Sequence, residues 1–143
     1  MGHGFVTPLL RRRTASHAIR NSRNGMVLAD RVLPAFDSRT RRAGLLHFES
    51  LPPGHAMVIA PTSAVHTWFM RFPIDVVFVN RRGEVVKTYW ALKPWRIAAA
   101  LRAYAVIELP EGTLASADTV AGDMLTIVTA DPSSDPGKKN LPV

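Results

Sequence analysis

The sequence predicts a mainly β fold: a compact, single-domain β-sandwich or barrel-like arrangement with one or two short helices. Three observations carry that expectation. The apolar residues fall into about seven or eight short runs punctuated by Gly, Pro, Asn and Ser, and runs repeating every 8–12 residues or so read as strands of a small β domain. One pair of runs, "IDVVFVN" (74–80) and "EVVKTYWAL" (84–92), flanks the turn Asn80-Arg81-Arg82-Gly83, the clearest hairpin in the chain. The length of 143 residues suits one domain, and a chain of that size buries roughly 68–70% of its unfolded surface without needing cross-links.

Taken in order, residues 1–16 read as a flexible basic arm around Arg11, Arg12 and Arg13. In "HAIRNSRNGMVLADRVLPA" (17–35) a short strand meets Asn24-Gly25. That pair suits a type I′ turn, whose two central residues need positive φ. A second strand then covers Met26–Leu33 and stops at Pro34. "DSRTRRAGLLHFESL" (37–51) is a helix candidate, capped by Asp37 or Ser38, with Ala43, Leu45 and Leu46 on its apolar side. "AMVIAP" (56–61) and "VHTWF" (65–69) are brief strands. "KPWRIAAALRA" (93–103) fits one or two helical turns or a connecting loop. "YAVIELP" (104–110) is a strand, "EGTLASADT" (111–119) a turn followed by a short helical piece, and "DMLTIVTA" (123–130) the last strand. The domain proper therefore spans 17–130. The tail 131–143 is polar and rich in Pro, Gly and Ser, a composition that cannot bury enough apolar surface to order itself.

Composition narrows function. The chain has no cysteine, which removes disulfides, thiolate nucleophiles and cysteine zinc sites. The net charge of +7 is confined to the first 42 residues: nine Arg against Asp30 and Asp37 leave +7, and the remainder sums to zero. Such asymmetry fits either a solvated arm or contact with nucleic acid or anionic membrane through Arg11–Arg31. No aromatic residue interleaves with Arg11–Arg13 to stack bases. Neither a signal peptide nor a run of about 20 apolar residues is read, so a cytoplasmic location is expected. No phosphate-binding or dinucleotide glycine pattern occurs, and no cofactor is expected. His47, His55 and His66 lack metal-ligand spacing. Ser63 lies three residues before His66 without a nucleophile elbow.

The segment "HTWFMRFPIDVVFV", with upstream "RRAGLLHFESLPPGHAMVI" and downstream "LKPWR", "AVIELPEG" and "AGDMLTI", resembles the DUF192 family, also called UPF0127. The resemblance rests on Gly44-Leu45-Leu46, Trp68 through Arg71, Pro73-Ile74-Asp75, Glu108 with Gly112, and Gly122-Asp123. It covers residues 18–130 or so. It implies a one-domain, mostly β fold and no particular reaction, because the family has no established activity. Many members look exported, with a signal peptide ahead of the domain.

The charged residues in the apolar runs pose the main question. Ile74, Val76 and Phe78 share one strand face, and Asp75, Val77 and Val79 the other. Asp75 is therefore expected to be buried, with Arg71 or backbone N–H groups near the Pro73 kink as partners. Asp75, Glu108 and Asp123 are read as structural polar groups. A non-catalytic ligand-binding or accessory module is expected, with a groove of His66, Thr67, Trp68, Arg71, Lys93, Trp95 and Arg96 receiving a small anionic or carbohydrate-like ligand. The alternative is a hydrolase of a carbohydrate-like substrate in which Asp75 and Glu108 flank the scissile bond, with Arg71 or Lys93 as the cation between them.

Overall fold

The computed structural model describes residues 4–36, 50–68 and 70–129. The chain runs α1 (Thr7–Arg11), β1 (His17–Asn21), β2 (Val27–Ala29), β3 (Arg31–Ala35), β4 (His55–Ile59), β5 (Ala64–His66), β6 (Ile74–Val79), β7 (Val85–Leu92), β8 (Ile97–Ala99), β9 (Ala105–Pro110), α2 (Thr113–Ser116) and β10 (Leu125–Thr129). The helix expected over 37–51 falls almost wholly outside the described residues, as does the tail 131–143.

Three sheets are built from these strands. The central one has five strands in the order β3-β4-β9-β6-β7, flanked by a three-stranded sheet β10-β1-β2 and a two-stranded ribbon β5-β8. All pairings are antiparallel except β3 with β4. Every residue of β6 is buried, because both faces of the central sheet are covered. On one face Val58, Val77, Val79 and Ile107 pack with Ile19, Leu28, Leu125 and Ile127 of the three-stranded sheet and with Phe5, Val6 and Leu9 around α1. On the other face Met57, Ile59, Val76, Phe78 and Val106 pack with Ala98 and Val65 of the ribbon. The result is a layered β domain whose sheets do not close into a barrel.

Several local expectations are revised. Residues 4–16, expected as an arm, contain α1, started by Pro8 in its first turn. Arg11, its last residue, and Arg12 and Arg13 just past it are exposed. The strand expected over Met26–Leu33 divides at Asp30 between two sheets, because the N–H groups of Asp30 and Arg31 donate to the Gly54 carbonyl. The Asn24-Gly25 turn is wider than a two-residue hairpin: Asn21 N–H donates to Met26 O, and only Gly25 has positive φ, at 72°. Residues 97–99, read as helix or loop, form β8, because Ala98 is buried on the central sheet and the segment pairs with β5 in the register His66 opposite Ile97. Packing overrides the helical propensity of alanine there.

Asp75 holds the centre of the sheet. It is 1% exposed and faces the α1 side. Its partners are not Arg71 but three backbone donors. Oδ1 accepts Ala91 N–H at 2.9 Å, and Oδ2 accepts Gly112 N–H at 3.1 Å and Leu114 N–H at 2.9 Å. The first bond fixes a bulge: Ile74 pairs with Leu92 and Val76 with Tyr89, so Trp90 and Ala91 together oppose Asp75. Ala91 sits there at φ 50°, a strained conformation for a residue with a Cβ. The other two bonds hold the turn that follows β9. Hydrogen bonds to a charged group contribute more than neutral ones, roughly 1.5–3 kcal/mol each. Asp75→Ala is therefore expected to lower unfolding free energy by roughly 3 kcal/mol or more, read from urea denaturation. Asp75→Asn should be intermediate, since its NH₂ cannot accept. A loss well under 1 kcal/mol for the alanine variant would show that the three donors find other partners.

Candidate functional site

The β5-β8 ribbon gathers most of the residues singled out for binding. Thr67, just past β5, is fully buried and acts as a clamp rather than a ligand contact. Its hydroxyl donates to Lys93 O at 2.6 Å and accepts Arg96 N–H at 2.9 Å. Its own N–H donates to Arg96 O at 2.8 Å, and its carbonyl accepts Trp95 N–H at 3.0 Å. These bonds fasten residues 93–96 against 66–68 and hold Trp95 at φ 63°. Side chains on either side point outward. His66 stacks on Trp68 with ring centroids 4.8 Å apart, and Trp68 and Trp95 are 42% and 57% exposed. Lys93 and Arg96 are exposed on the clamped loop. Arg71 is exposed too and forms no ion pair among the described residues.

Asp75 and Glu108 are separated by the sheet itself. Asp75 pairs with Leu109, and Glu108 with Val76. Directly opposed residues share a face and neighbours along a strand do not, so the two carboxyl groups point into opposite layers. They cannot flank one scissile bond, and neither Arg71 nor Lys93 lies between them. The hydrolase alternative loses its geometry. Glu108 is 5% exposed, lies between Met57 and Val76, and bonds no side chain or backbone group through its carboxyl among the described residues. Burial pushes its pKa up to about 7.

Asp123 belongs to a separate network where the β1-β2 turn meets the entry to β10. Oδ1 accepts Arg23 Nε at 2.7 Å, and Oδ2 accepts Asn21 Nδ2 at 2.8 Å and Val120 N–H at 3.0 Å. The Arg23 guanidinium holds this carboxyl well below the usual range, with the Val120 and Asn21 bonds assisting. Arg23 also reaches Asp118, so one of the N-terminal arginines is committed to the fold. Of the histidines, His55 bonds Pro53 O through Nδ1 at 3.3 Å, and His47 lies outside the described residues. Among the described residues no three His, Asp or Glu side chains converge as a metal cage, and no helix is long and apolar enough to cross a membrane.

The family model of DUF192, an uncharacterized ACR, matches residues 19–127. The chain belongs to the DUF192 family. A UPF0127 protein of Pyrococcus furiosus is 41% identical over 64 residues, which is 44% of this chain and 54% of that protein. The match thus spans about half the length of that relative. Two crystal structures share the fold. One, from Sinorhizobium meliloti 1021, is described as a candidate transcription regulator; it has a TM-score of 0.67 at 21% identity, covering 78% of this chain and 91% of that one. The other, from Novosphingobium aromaticivorans DSM 12444, is of unknown function; its TM-score is 0.66 at 20% identity, covering 77% and 82%. In this DUF192 member the motif residues Asp75, Gly112 and Asp123 are all engaged in bonds that hold turns and bulges.

A feature that sequence reasoning missed lies at the far end of the ribbon, where Arg81 and Arg82 of one turn meet Arg102 of another. The Arg81-Arg82 pair was visible only as turn residues, and Arg102 joins them through the fold.

Two outcomes follow from these groups. Glu108 has a folded pKa near 7 against 4.5 for the ordinary side chain. The folded state thus holds the proton more tightly, so its contribution is complete below about pH 4.5 and is lost as pH rises through 7. Wild-type protein should lose on the order of 3 kcal/mol over that interval, and Glu108→Gln should flatten the decline in a pH series of melting curves. An unchanged slope would mean the carboxyl is neutralised by another group. Thr67→Val keeps the shape but removes the hydroxyl bonds, at a cost of about 1–2 kcal/mol. Amide exchange of Arg96 should rise with it; protection equal to wild type would show that the clamp is unnecessary.

Proposed function

We propose that this DUF192 member is a non-catalytic binding module whose recognition surface is the indole–imidazole platform on the β5-β8 ribbon. The observation that carries the reading is the His66–Trp68 stack beside exposed Trp95, on a loop pre-fixed by Thr67. Exposed tryptophan is costly to leave in water, and a rigid ring pair loses little entropy when a flat apolar face settles on it. Lys93 and Arg96 at the border supply positive charge. The ligand class this favours is a small carbohydrate-like molecule carrying an anionic group. Thr67 supports the platform from beneath, and Asp75, Glu108 and Asp123 serve the scaffold. We further propose a cytoplasmic location, for which the support is that a chain without cysteine has no disulfide to lose under reducing conditions.

Tryptophan fluorescence tests this directly, with cellotriose as the neutral probe and trigalacturonate as the acidic one. Trigalacturonate should quench emission and bind more tightly than cellotriose. Stacking contributes about 0.5–1.5 kcal/mol per ring, so the Trp68→Ala, Trp95→Ala variant should bind about tenfold or more weakly. Lack of response to either sugar in wild type, or equal affinity in the double variant, would sink the platform as a saccharide site.

A further inference from the structure

Beyond the platform, a groove of about 400 Å³ opens at the other end of the ribbon, lined by Arg81, Arg82, Leu101, Arg102 and Tyr104. A volume of that size is within the range of small-molecule sites. Its two walls are turns that the fold holds still. Asn80 Oδ1 accepts the N–H groups of Arg82 and Glu84, each at 3.0 Å, and Phe5 N–H donates to Arg81 O at 2.7 Å. Gly83, at φ 97°, lies so close to the Leu125 carbonyl that a Cβ would collide with it, which locks the turn against β10. Across the groove, Ala103 N–H donates to Ala100 O at 3.1 Å and Tyr104 N–H to Val79 O at 2.8 Å. The Arg81 guanidinium lies over the Tyr104 ring, 4.4 Å from its centroid.

The charge is one-sided. None of Arg81, Arg82 and Arg102 pairs with a carboxylate among the described residues. Glu84, the acid of the same turn, is engaged by Asn80 Nδ2 at 3.4 Å. Three guanidiniums from two fixed turns offer more donors than one carboxylate can use, and their planar forks match phosphate oxygens in pairs. Leu101 and the Tyr104 ring leave an apolar wall beside them. We infer that the Arg81–Arg82–Arg102 groove is a binding site for a small diphosphate-bearing ligand.

Isothermal titration of the full chain with inorganic pyrophosphate and with ADP, at constant ionic strength, tests the assignment. Both should bind, and the Arg82→Gln, Arg102→Gln variant should bind each at least tenfold more weakly while melting at the wild-type temperature. That variant leaves the Arg81–Tyr104 contact intact, so folding is not at stake. ADP binding tighter than pyrophosphate would assign Leu101 and Tyr104 to the remainder of the ligand, and equal affinities would assign the site to the phosphates alone; either supports the inference. No heat from either ligand overturns it. So does unchanged affinity in the double variant, or loss confined to an Arg11→Gln, Arg12→Gln, Arg13→Gln variant, which would move binding to the N-terminal arginines.

Discussion

A single buried carboxylate, Asp75, ties β7 and the turn after β9 to the strand between them. No cation is needed, because three N–H dipoles supply the stabilisation that water would otherwise give. Asp123 solves the same problem differently, with a guanidinium and two further donors. Glu108 is a third solution, in which an acid with no such donor among the described residues keeps its proton up to about neutral pH. Three acids in one small domain thus illustrate the choice a buried carboxyl faces: be solvated by backbone, be paired, or be neutral.

The alternation of β6 was legible because side chains in a strand alternate strictly, and Ile74–Val79 partition between the two cores as their order implies. The β6-β7 hairpin and the strand character of β9 were legible for the same reason. The partners of Asp75 were not, since Ala91, Gly112 and Leu114 contribute only backbone groups, which carry no sequence signal. The separation of Asp75 from Glu108 needed the register of β6 against β9, and pairing register is a long-range property. β8 was obscured by its alanines, whose local preference is overruled by a partner strand about thirty positions away.

The same limits explain the surface. His66, Trp68 and Trp95 were picked out by residue type, and the fold does bring 66–68 beside 93–96. Thr67 shared the exposed company of its neighbours in sequence but turns inward, because a small hydroxyl can satisfy a buried loop where the flanking rings cannot. The arginine groove drew no notice because its members sit in turns, where charged residues are ordinary, and only tertiary structure aligns them.

The central sheet has two edge strands, β3 and β7, and β3 carries Pro34 one residue from its end, with Leu33 and Pro34 open to water. Proline deletes a donor from that border and blocks continuous pairing with a strand from another molecule. An open sheet with a greasy rim invites stacking into fibres, and a barrel escapes this by having no rim. Here one imino acid performs that protective task at one of the sheet's two borders.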